Sequence, residues 1–502
     1  MVSLVGAGPG DAGLITVKAV ERLKTADIVF YDRLANVELL KYCKKEVELF
    51  FVGKAAAHHY VKQEDTIKMM IDAAKQGKSV VRLKGGDPLI FGRGSEEAIA
   101  LRQAGVEFEF IPGVTSGIAA ATYAGIPLTH RNLVTKCVFI TAHEEPGKAT
   151  SQNDWSEIAK MENTTIVIYM GVGNAPEIAD ILVREGMDPD MPVAIIENGT
   201  FNSQRTFLTN LQSVAETISS NSVKPPAIFV IGPTVAMKNE LDWFEQKPLF
   251  GVRVAATRAA DQIRSLSDEL KELGAEVIPF SVIETVLSVP KRKISEILSE
   301  KHYDWLIFTS ENGVRYFFEL LEMEKSDARA LAGVKIAAIG KGTAAKLRQY
   351  NLIADFMPRK YTSESLLQEF PERENLANLT VLRVKGDFSN DLLVEGLRKL
   401  KANVTTVEVY KIFKGSPSET TIKTLVEEGC DAVTFTSQST VNNFYEILGQ
   451  DRADQILKRA VSFVIGPVTA EALQEKNIGN MIIAEEHTIN GLVTEILNHF
   501  NG

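Results

Sequence analysis

Two apolar periods take turns along this chain, and that alternation limits its fold more than any other feature. Largely apolar runs of strand length stand at 28–31, 79–83, 106–111, 138–141, 165–170 and 227–231, while 65–75, 95–103, 175–184 and 211–219 carry helical spacing. Continuous apolar strands between helices belong to sheets covered on both faces, so the chain reads as α/β with largely parallel sheets. At 502 residues it has material for about three or four compact units.

The second half repeats itself. Asp304-Trp-Leu-Ile-Phe-Thr-Ser310 recurs as Asp431-Ala-Val-Thr-Phe-Thr-Ser437, and Ile339-Gly340-x-x-Thr343-Ala344 as Ile465-Gly466-x-x-Thr469-Ala470. A weaker match sets Val254, Leu266, Leu270 and Leu273 against Val381, Leu393, Leu397 and Leu400 at near-constant spacing. Residues 251–502 therefore read as two related halves with a cleft between two open sheets, a common place for a small-molecule site. Core packing alone would need only the apolar positions of the repeat. Phe-Thr-Ser and Ile-Gly-x-x-Thr each follow a strand and open a helix, where hydroxyls and backbone N–H groups can hold anions. Before this half, 238–248 mixes charges, aromatics and a proline without alternation, which sets a linker at about 238–250.

Composition removes several functions. A formal net charge of −10 argues against a broad nucleic-acid-binding surface. Cys43, Cys137 and Cys430 form no CxxC pair, so neither a disulfide framework nor a zinc site is expected, and a reducing cytoplasm fits. His58 and His59 are the one histidine cluster, and adjacent residues point to different faces, so no metal is expected. The N-terminus lacks a basic stretch before a long apolar run, and no segment approaches the length of a membrane span; neither a signal peptide nor a membrane helix is expected.

Five glycine-bearing loops follow strands in the first half. They are Gly6-Ala7-Gly8-Pro9-Gly10-Asp11; Arg82-Leu-Lys-Gly85-Gly86-Asp87-Pro88-Leu-Ile90-Phe91-Gly92-Arg93-Gly94; Ile111-Pro112-Gly113-Val114-Thr115-Ser116-Gly117; Tyr169-Met170-Gly171; and Glu197-Asn198-Gly199-Thr200 followed by Gln204-Arg205. Bare glycine backbone lets a ligand approach closely, and Asp87 can hydrogen-bond ribose hydroxyls or a cationic amino group. The first loop is not a GxGxxG dinucleotide fingerprint: Pro9 removes a donor and Asp11 repels a pyrophosphate. An NAD-dependent oxidoreductase, the rival enzyme reading, also lacks the expected acidic residue after a second strand.

Through these loops residues 1–237 resemble the tetrapyrrole methylase family, and within it uroporphyrinogen-III C-methyltransferase. The resemblance implies two α/β subdomains, usually in a homodimer, with S-adenosylmethionine as methyl donor, S-adenosylhomocysteine as product and no metal. It places Pro9 beside the donor, with Gly85, Gly86, Asp87, Ile90, Thr115, Ser116, Met170 and Gly199 in contact. Many relatives carry alanine at the position of Ser116. It also implies Asp32, closing the run 28–31, as proton acceptor and Lys54 as proton donor; Lys54 could equally anchor substrate carboxylates. The chemistry suits a carboxylate: a pyrrole carbon attacks the sulfonium methyl, the ring becomes cationic and a proton must leave.

Residues 251–502 resemble uroporphyrinogen-III synthase through Thr257-Arg258, Phe308-Thr-Ser310, Gly340-x-x-Thr343, Pro358-x-x-Tyr361-x-Ser363 and Phe435-Thr-Ser437. That family implies two flavodoxin-like lobes joined by a two-stranded ladder: lobe one about 251–285 plus 411–502, lobe two about 287–405, with linking strands near 281–286 and 406–410. It implies hydroxymethylbilane as substrate, anchored by Thr257, Arg258, Ser310, Thr343 and Ser437, with Tyr361 assisting loss of the hydroxyl. Together the modules would close hydroxymethylbilane to uroporphyrinogen III with ring D inverted, then methylate C2 and C7 to give precorrin-2, on the route to sirohaem or cobalamin. The alternative is a methyltransferase whose C-terminal module binds tetrapyrrole without cyclising it. No nucleic-acid or membrane partner is expected.

Overall fold

The chain divides into two compact units, Met1–Val252 with Leu273–Glu276, and Arg253–Glu272 with Val277–Gly502. The computed structural model describes residues 1–53, 62–142, 153–258, 263–387 and 392–501. Each unit holds two five-stranded sheets.

The first sheet contains β1 (Val2–Gly6), β2 (Ile28–Tyr31), β3 (Glu48–Phe51), β4 (Val80–Lys84) and β5 (Phe108–Ile111) in the order β3-β2-β4-β1-β5, every ladder parallel. Val2, Leu4 and Val5 of β1 are wholly buried, as befits a strand with helices on both faces. β4 departs from that pattern: Arg82 and Lys84 alternate with Val81 and Leu83, and all four are buried.

The second sheet contains β6 (Lys136–Thr141), β7 (Thr164–Tyr169), β8 (Pro192–Glu197), β9 (Arg205–Asn210) and β10 (Ala227–Ile231) in the order β6-β7-β10-β8-β9. This sheet departs from the largely parallel pattern of the others: only β6 and β7 run parallel, and the other three ladders are antiparallel. β10 is buried along its whole length whichever way its neighbours run, so its apolar run carries no direction. The segment 238–250, read above as a linker, packs on this unit. Phe244 is buried with its ring 4.7 Å from Tyr123, and Trp243 Nε1 donates to Thr122 O at 3.0 Å.

In the second unit β11 (Arg253–Ala256) and β12 (Glu276–Pro279) begin a third sheet. The chain then builds the fourth from β13 (Ile283–Leu287), β14 (Trp305–Phe308), β15 (Lys335–Ala338), β16 (Thr380–Gly386) and β17 (Asn403–Lys414). It returns to the third with β18 (Ala432–Phe435), β19 (Val461–Val464) and β20 (Met481–Ile483). The orders are β12-β11-β18-β19-β20 and β13-β17-β16-β14-β15. Each sheet thus takes strands from both copies of the sequence repeat: β11 belongs to the first copy and pairs with β18 of the second, while β14 of the first pairs with β16 of the second. Buried Phe280, Phe435 and Phe444 centre one core; Phe308, Phe317 and Val409 centre another.

The antiparallel ladder joins Ile283–Leu287 to residues 410–414, later along the chain than the expected 406–410. β17 runs for 12 residues; its first part pairs in parallel with β16, and only beyond the irregularity at Lys385/Gly386 does it turn to β13.

Candidate active site

Three loops at the carboxyl ends of β1, β4 and β5 meet with almost no space between their backbones. A Cβ on Gly6 would lie 2.5 Å from Gly113 N and 2.7 Å from Gly86 O. Gly8 and Gly86, at φ +79° and +67°, exchange two backbone hydrogen bonds of 3.2 and 2.7 Å. Asp87 staples the junction: Oδ1 accepts from Leu89 N (2.8 Å) and Ile90 N (3.2 Å), and Oδ2 from Gly113 N (3.1 Å). Its carboxylate therefore shapes the loop, and Oδ2, with a single donor, keeps a lone pair for a further one.

The second sheet brings its loops to the same place. Thr200 Oγ1 accepts from Asp11 N at 2.9 Å, and a Cβ on Gly10 would stand 2.6 Å from it; half-buried Pro9 lies in that bend. A Cβ on Gly199 would lie 2.5 Å from Ala120 Cβ, on the helix Ser116–Tyr123. Thr115 Oγ1 shares a 2.8 Å hydrogen bond with the Tyr169 hydroxyl, which also accepts from Gly117 N at 2.8 Å. Burial raises the Tyr169 phenol above its ordinary pKa, against these hydrogen bonds. Met170, next along, is half-exposed at φ 55°, a backbone state that costs a non-glycine residue energy. Ile90 is also exposed. Pro9, Gly85, Gly86, Asp87, Ile90, Thr115, Ser116, Met170 and Gly199 all lie in this group of loops. Sequence reasoning singled out the loops of Tyr169 and Thr200 but gave these two side chains no role, because their partners Thr115 and Asp11 are far away in sequence.

Asp32 opens the loop after β2, which touches the second motif: a Cβ on Gly85 would lie 2.5 Å from Leu34 Cβ. Asp32 Oδ1 accepts from Leu34 N (3.1 Å) and Ala35 N (3.2 Å); Oδ2 accepts from Arg82 Nη2 (3.3 Å). Beneath it lies a buried charge cluster absent from the sequence reading. Glu97 is wholly buried, and its Oε1 accepts from Arg82 Nε (3.2 Å), Lys84 Nζ (3.0 Å) and Gln63 Nε2 (2.8 Å). Burial, reinforced by the Arg82 guanidinium, lowers the Lys84 ammonium below its ordinary pKa, while Glu97 opposes the shift. The signal was available: Arg-x-Lys inside an otherwise apolar strand calls for a buried counter-charge. Lys54 lies outside the described residues.

In the second unit the chosen residues form two groups, each at the carboxyl ends of its own parallel strands. On the third sheet Thr257 is wholly buried, and its hydroxyl donates to Thr434 O at 2.5 Å, tying β11 to β18 rather than facing outward. Arg258 follows, half-buried. Ser437 caps the helix Gln438–Leu448 in a capping box with Thr440. On the fourth sheet Ser310 caps Glu311–Met323, accepting from Gly313 N at 3.0 Å, and shares a 3.1 Å hydrogen bond with the Tyr410 hydroxyl. Thr343 is buried in the first turn of Lys341–Arg348, and Tyr361 is exposed. Tyr410 is a polar neighbour that sequence reasoning missed. The Phe-Thr-Ser repeats thus have a local cause, a serine at each N-cap.

Among the described residues no group of three or more His, Cys, Asp or Glu could hold a metal, and no helix is long and apolar enough to cross a membrane.

A family model of tetrapyrrole (corrin/porphyrin) methylases matches residues 1–215, and one of uroporphyrinogen-III synthase HemD matches residues 264–494. The porphyrin biosynthesis protein HemD of Ruminiclostridium josui is 36% identical over 498 residues, 99% of this chain and 97% of that protein. A uroporphyrinogen-III C-methyltransferase of Bacillus subtilis (strain 168) is 42% identical over 246 residues, 49% of this chain and 95% of that protein. The crystal structure of uroporphyrin-III C-methyl transferase from Thermus thermophilus complexed with S-adenyl homocysteine is 37% identical, covers 47% of this chain and 92% of that one, and has a TM-score of 0.40.

Proposed function

We propose that this chain, which belongs to the family in which a tetrapyrrole methylase is fused to a uroporphyrinogen-III synthase, runs two consecutive steps of tetrapyrrole biosynthesis. The C-terminal unit closes hydroxymethylbilane to uroporphyrinogen III with ring D inverted. The N-terminal unit then methylates C2 and C7, giving precorrin-2. Both steps share one unstable intermediate, and linkage in one chain raises its local concentration.

The observation that carries the methyl-transfer reading is the backbone contact of Gly6, Gly86 and Gly113 beside the Asp32 loop. Bare backbone held this rigidly suits a donor folded between two subdomains; bound there, S-adenosylmethionine supplies an electrophilic methyl group. Pro9, Gly85, Gly86, Asp87, Ile90, Thr115, Ser116, Met170 and Gly199 would hold it. Asp32, fixed by Arg82 from below and by two backbone N–H groups, takes the proton that leaves the methylated pyrrole carbon. Orientation of the two reactants supplies much of the remaining acceleration. Lys54 would donate a proton or anchor a substrate carboxylate.

In the second unit Arg258, Ser310, Thr343 and Ser437 would anchor a polyanionic linear tetrapyrrole, a reading supported by their position at the carboxyl ends of parallel strands, and Tyr361 would assist departure of its hydroxyl. The buried hydroxyl of Thr257 supports this edge through β11. The N-terminal unit pairs with a second copy of itself, a reading supported by the edge strand β3, where Leu49, Phe50 and Phe51 are all exposed. Thermal unfolding tests the donor site. S-adenosylhomocysteine at 100 times its Kd should stabilise the first unit by about 2.7 kcal/mol, with NAD inert. Protection by NAD alone would contradict the reading.

A further inference from the structure

We infer that His487 is the counterpart of Tyr361 on the other lobe and a substrate-contacting residue of the synthase. The inference rests on the synthase reading above. The sequence repeat does not reveal the pair, since histidine and tyrosine do not match; the structure does. Tyr361 lies over Gly340, where a glycine Cβ would meet its Cβ at 3.4 Å and its Cγ at 3.5 Å. His487 lies over Gly466, where a Cβ would meet its Cγ, Cδ2 and Nδ1 at 3.4 Å. The two glycines are equivalent members of the Ile-Gly-x-x-Thr repeat, one after β15 and one after β19, and each precedes a helix of the same length.

The agreement continues around each ring. Thr362 N donates to Lys360 O at 2.8 Å, and Thr488 N to Glu486 O at 2.7 Å, so the same tight turn carries each aromatic residue. Thr362 Oγ1 then accepts from Ser365 N at 3.1 Å, and Thr488 Oγ1 from Gly491 N at 3.0 Å, opening a helix in each lobe. Even the sheet edge corresponds: β20 flanks β19, and a parallel bridge from Ala337 to Phe356 takes its place beside β15. Both rings are exposed. Each lobe therefore presents a planar ring with a polar edge at the carboxyl ends of its parallel strands, where open α/β sheets take ligands.

A flexible chain of four pyrroles must be held at more than one point before its ends can be joined. His487 provides the point on the third sheet, where an imidazole N–H donates to a carboxylate of the linear tetrapyrrole, while Tyr361 on the fourth meets the end that loses its hydroxyl. Loss of one hydrogen bond to a charged group corresponds to about tenfold or more in binding.

The test uses the full chain with hydroxymethylbilane as probe, and separates the I and III isomers of the oxidised product. His487→Ala should raise KM about tenfold or more and divert product to the spontaneously formed I isomer. His487→Tyr should return most of the loss, which a purely structural histidine would not allow. The calorimetric transition of the second unit, the one that S-adenosylhomocysteine leaves unshifted, serves as the internal control for folding. Unchanged KM and isomer ratio in His487→Ala, or no recovery in His487→Tyr, would overturn the inference while leaving the synthase reading intact. A wild-type chain that yields only the I isomer would overturn both.

Discussion

Replacing Arg82 with methionine removes a guanidinium that is only 5% exposed in its side chain and sits between two carboxylates. Arg82, Lys84, Glu97 and Asp32 together are formally neutral, and the substitution leaves them with one uncompensated negative charge. Breaking a buried ion pair costs about 3–5 kcal/mol; the lower end applies, because Lys84 and Gln63 still donate to Glu97. Adding Glu97→Gln restores neutrality, so the double variant should recover about 2 kcal/mol relative to the sum of the single losses. Calorimetry of the full chain reads this, with S-adenosylhomocysteine marking the transition of the first unit. The single Glu97→Gln variant has its own pH signature. The folded-state pKa of Lys84 already lies below its unfolded value, so the penalty for burying its charge is full at low pH and fades as pH rises through the lowered value. Without Glu97 that pKa falls further, and the variant should regain stability as pH rises from neutrality toward 10. Strictly additive losses, or a Glu97→Gln deficit independent of pH, would refute the charge-balance reasoning.

Other outcomes follow from the same geometry. Asp32→Asn should lower kcat for methyl transfer by about 10²–10⁴-fold while S-adenosylhomocysteine still binds, since the amide oxygen can keep the Leu34 and Ala35 N–H bonds that shape the loop. Gly113→Ala sets a Cβ 2.8 Å from Gly6 Cα and should cost about 1–3 kcal/mol together with donor binding. Gly173→Ala, with nothing within 4 Å of its Cβ, should be within about 0.5 kcal/mol of wild type. Arg22 holds the Glu109 carboxyl down at about 2, so the stability it lends is present above its unfolded pKa and lost as pH falls toward that value. Glu109→Gln should flatten acid unfolding of the first unit between about pH 4.3 and 2, read by circular dichroism.

Much of the fold is legible because buried strands such as β2 and β10 are continuous apolar runs, and helices such as Ala175–Arg184 keep their period. Strand direction is not legible, since β10 is apolar on both faces in either sense. β9 escapes notice because an edge strand with the sequence Arg-Thr-Phe-Leu-Thr-Asn shows no strict alternation. The ladder strand shifts because β17 serves two partners in succession, which no local pattern announces. In the donor loops the glycines are visible in sequence, but their anchors are not: Thr200 meets Asp11 and Tyr169 meets Thr115 only through the fold. Glu97 is hidden for the same reason, facing Arg82 and Lys84 from a helix whose first turn reads as ordinarily acidic. Ser310 and Ser437 can be picked out by position, yet their capping of two helices explains the repeat as fully as anchoring does.

The most direct measurement gives the anaerobic full chain hydroxymethylbilane, with and without S-adenosylmethionine, and identifies the oxidised products by chromatography and mass. Uroporphyrin III alone without donor, and a dimethylated product with donor, is the expected result. Uroporphyrin I without donor would contradict it: closure would then be spontaneous, and the C-terminal unit would bind tetrapyrrole without being a working synthase.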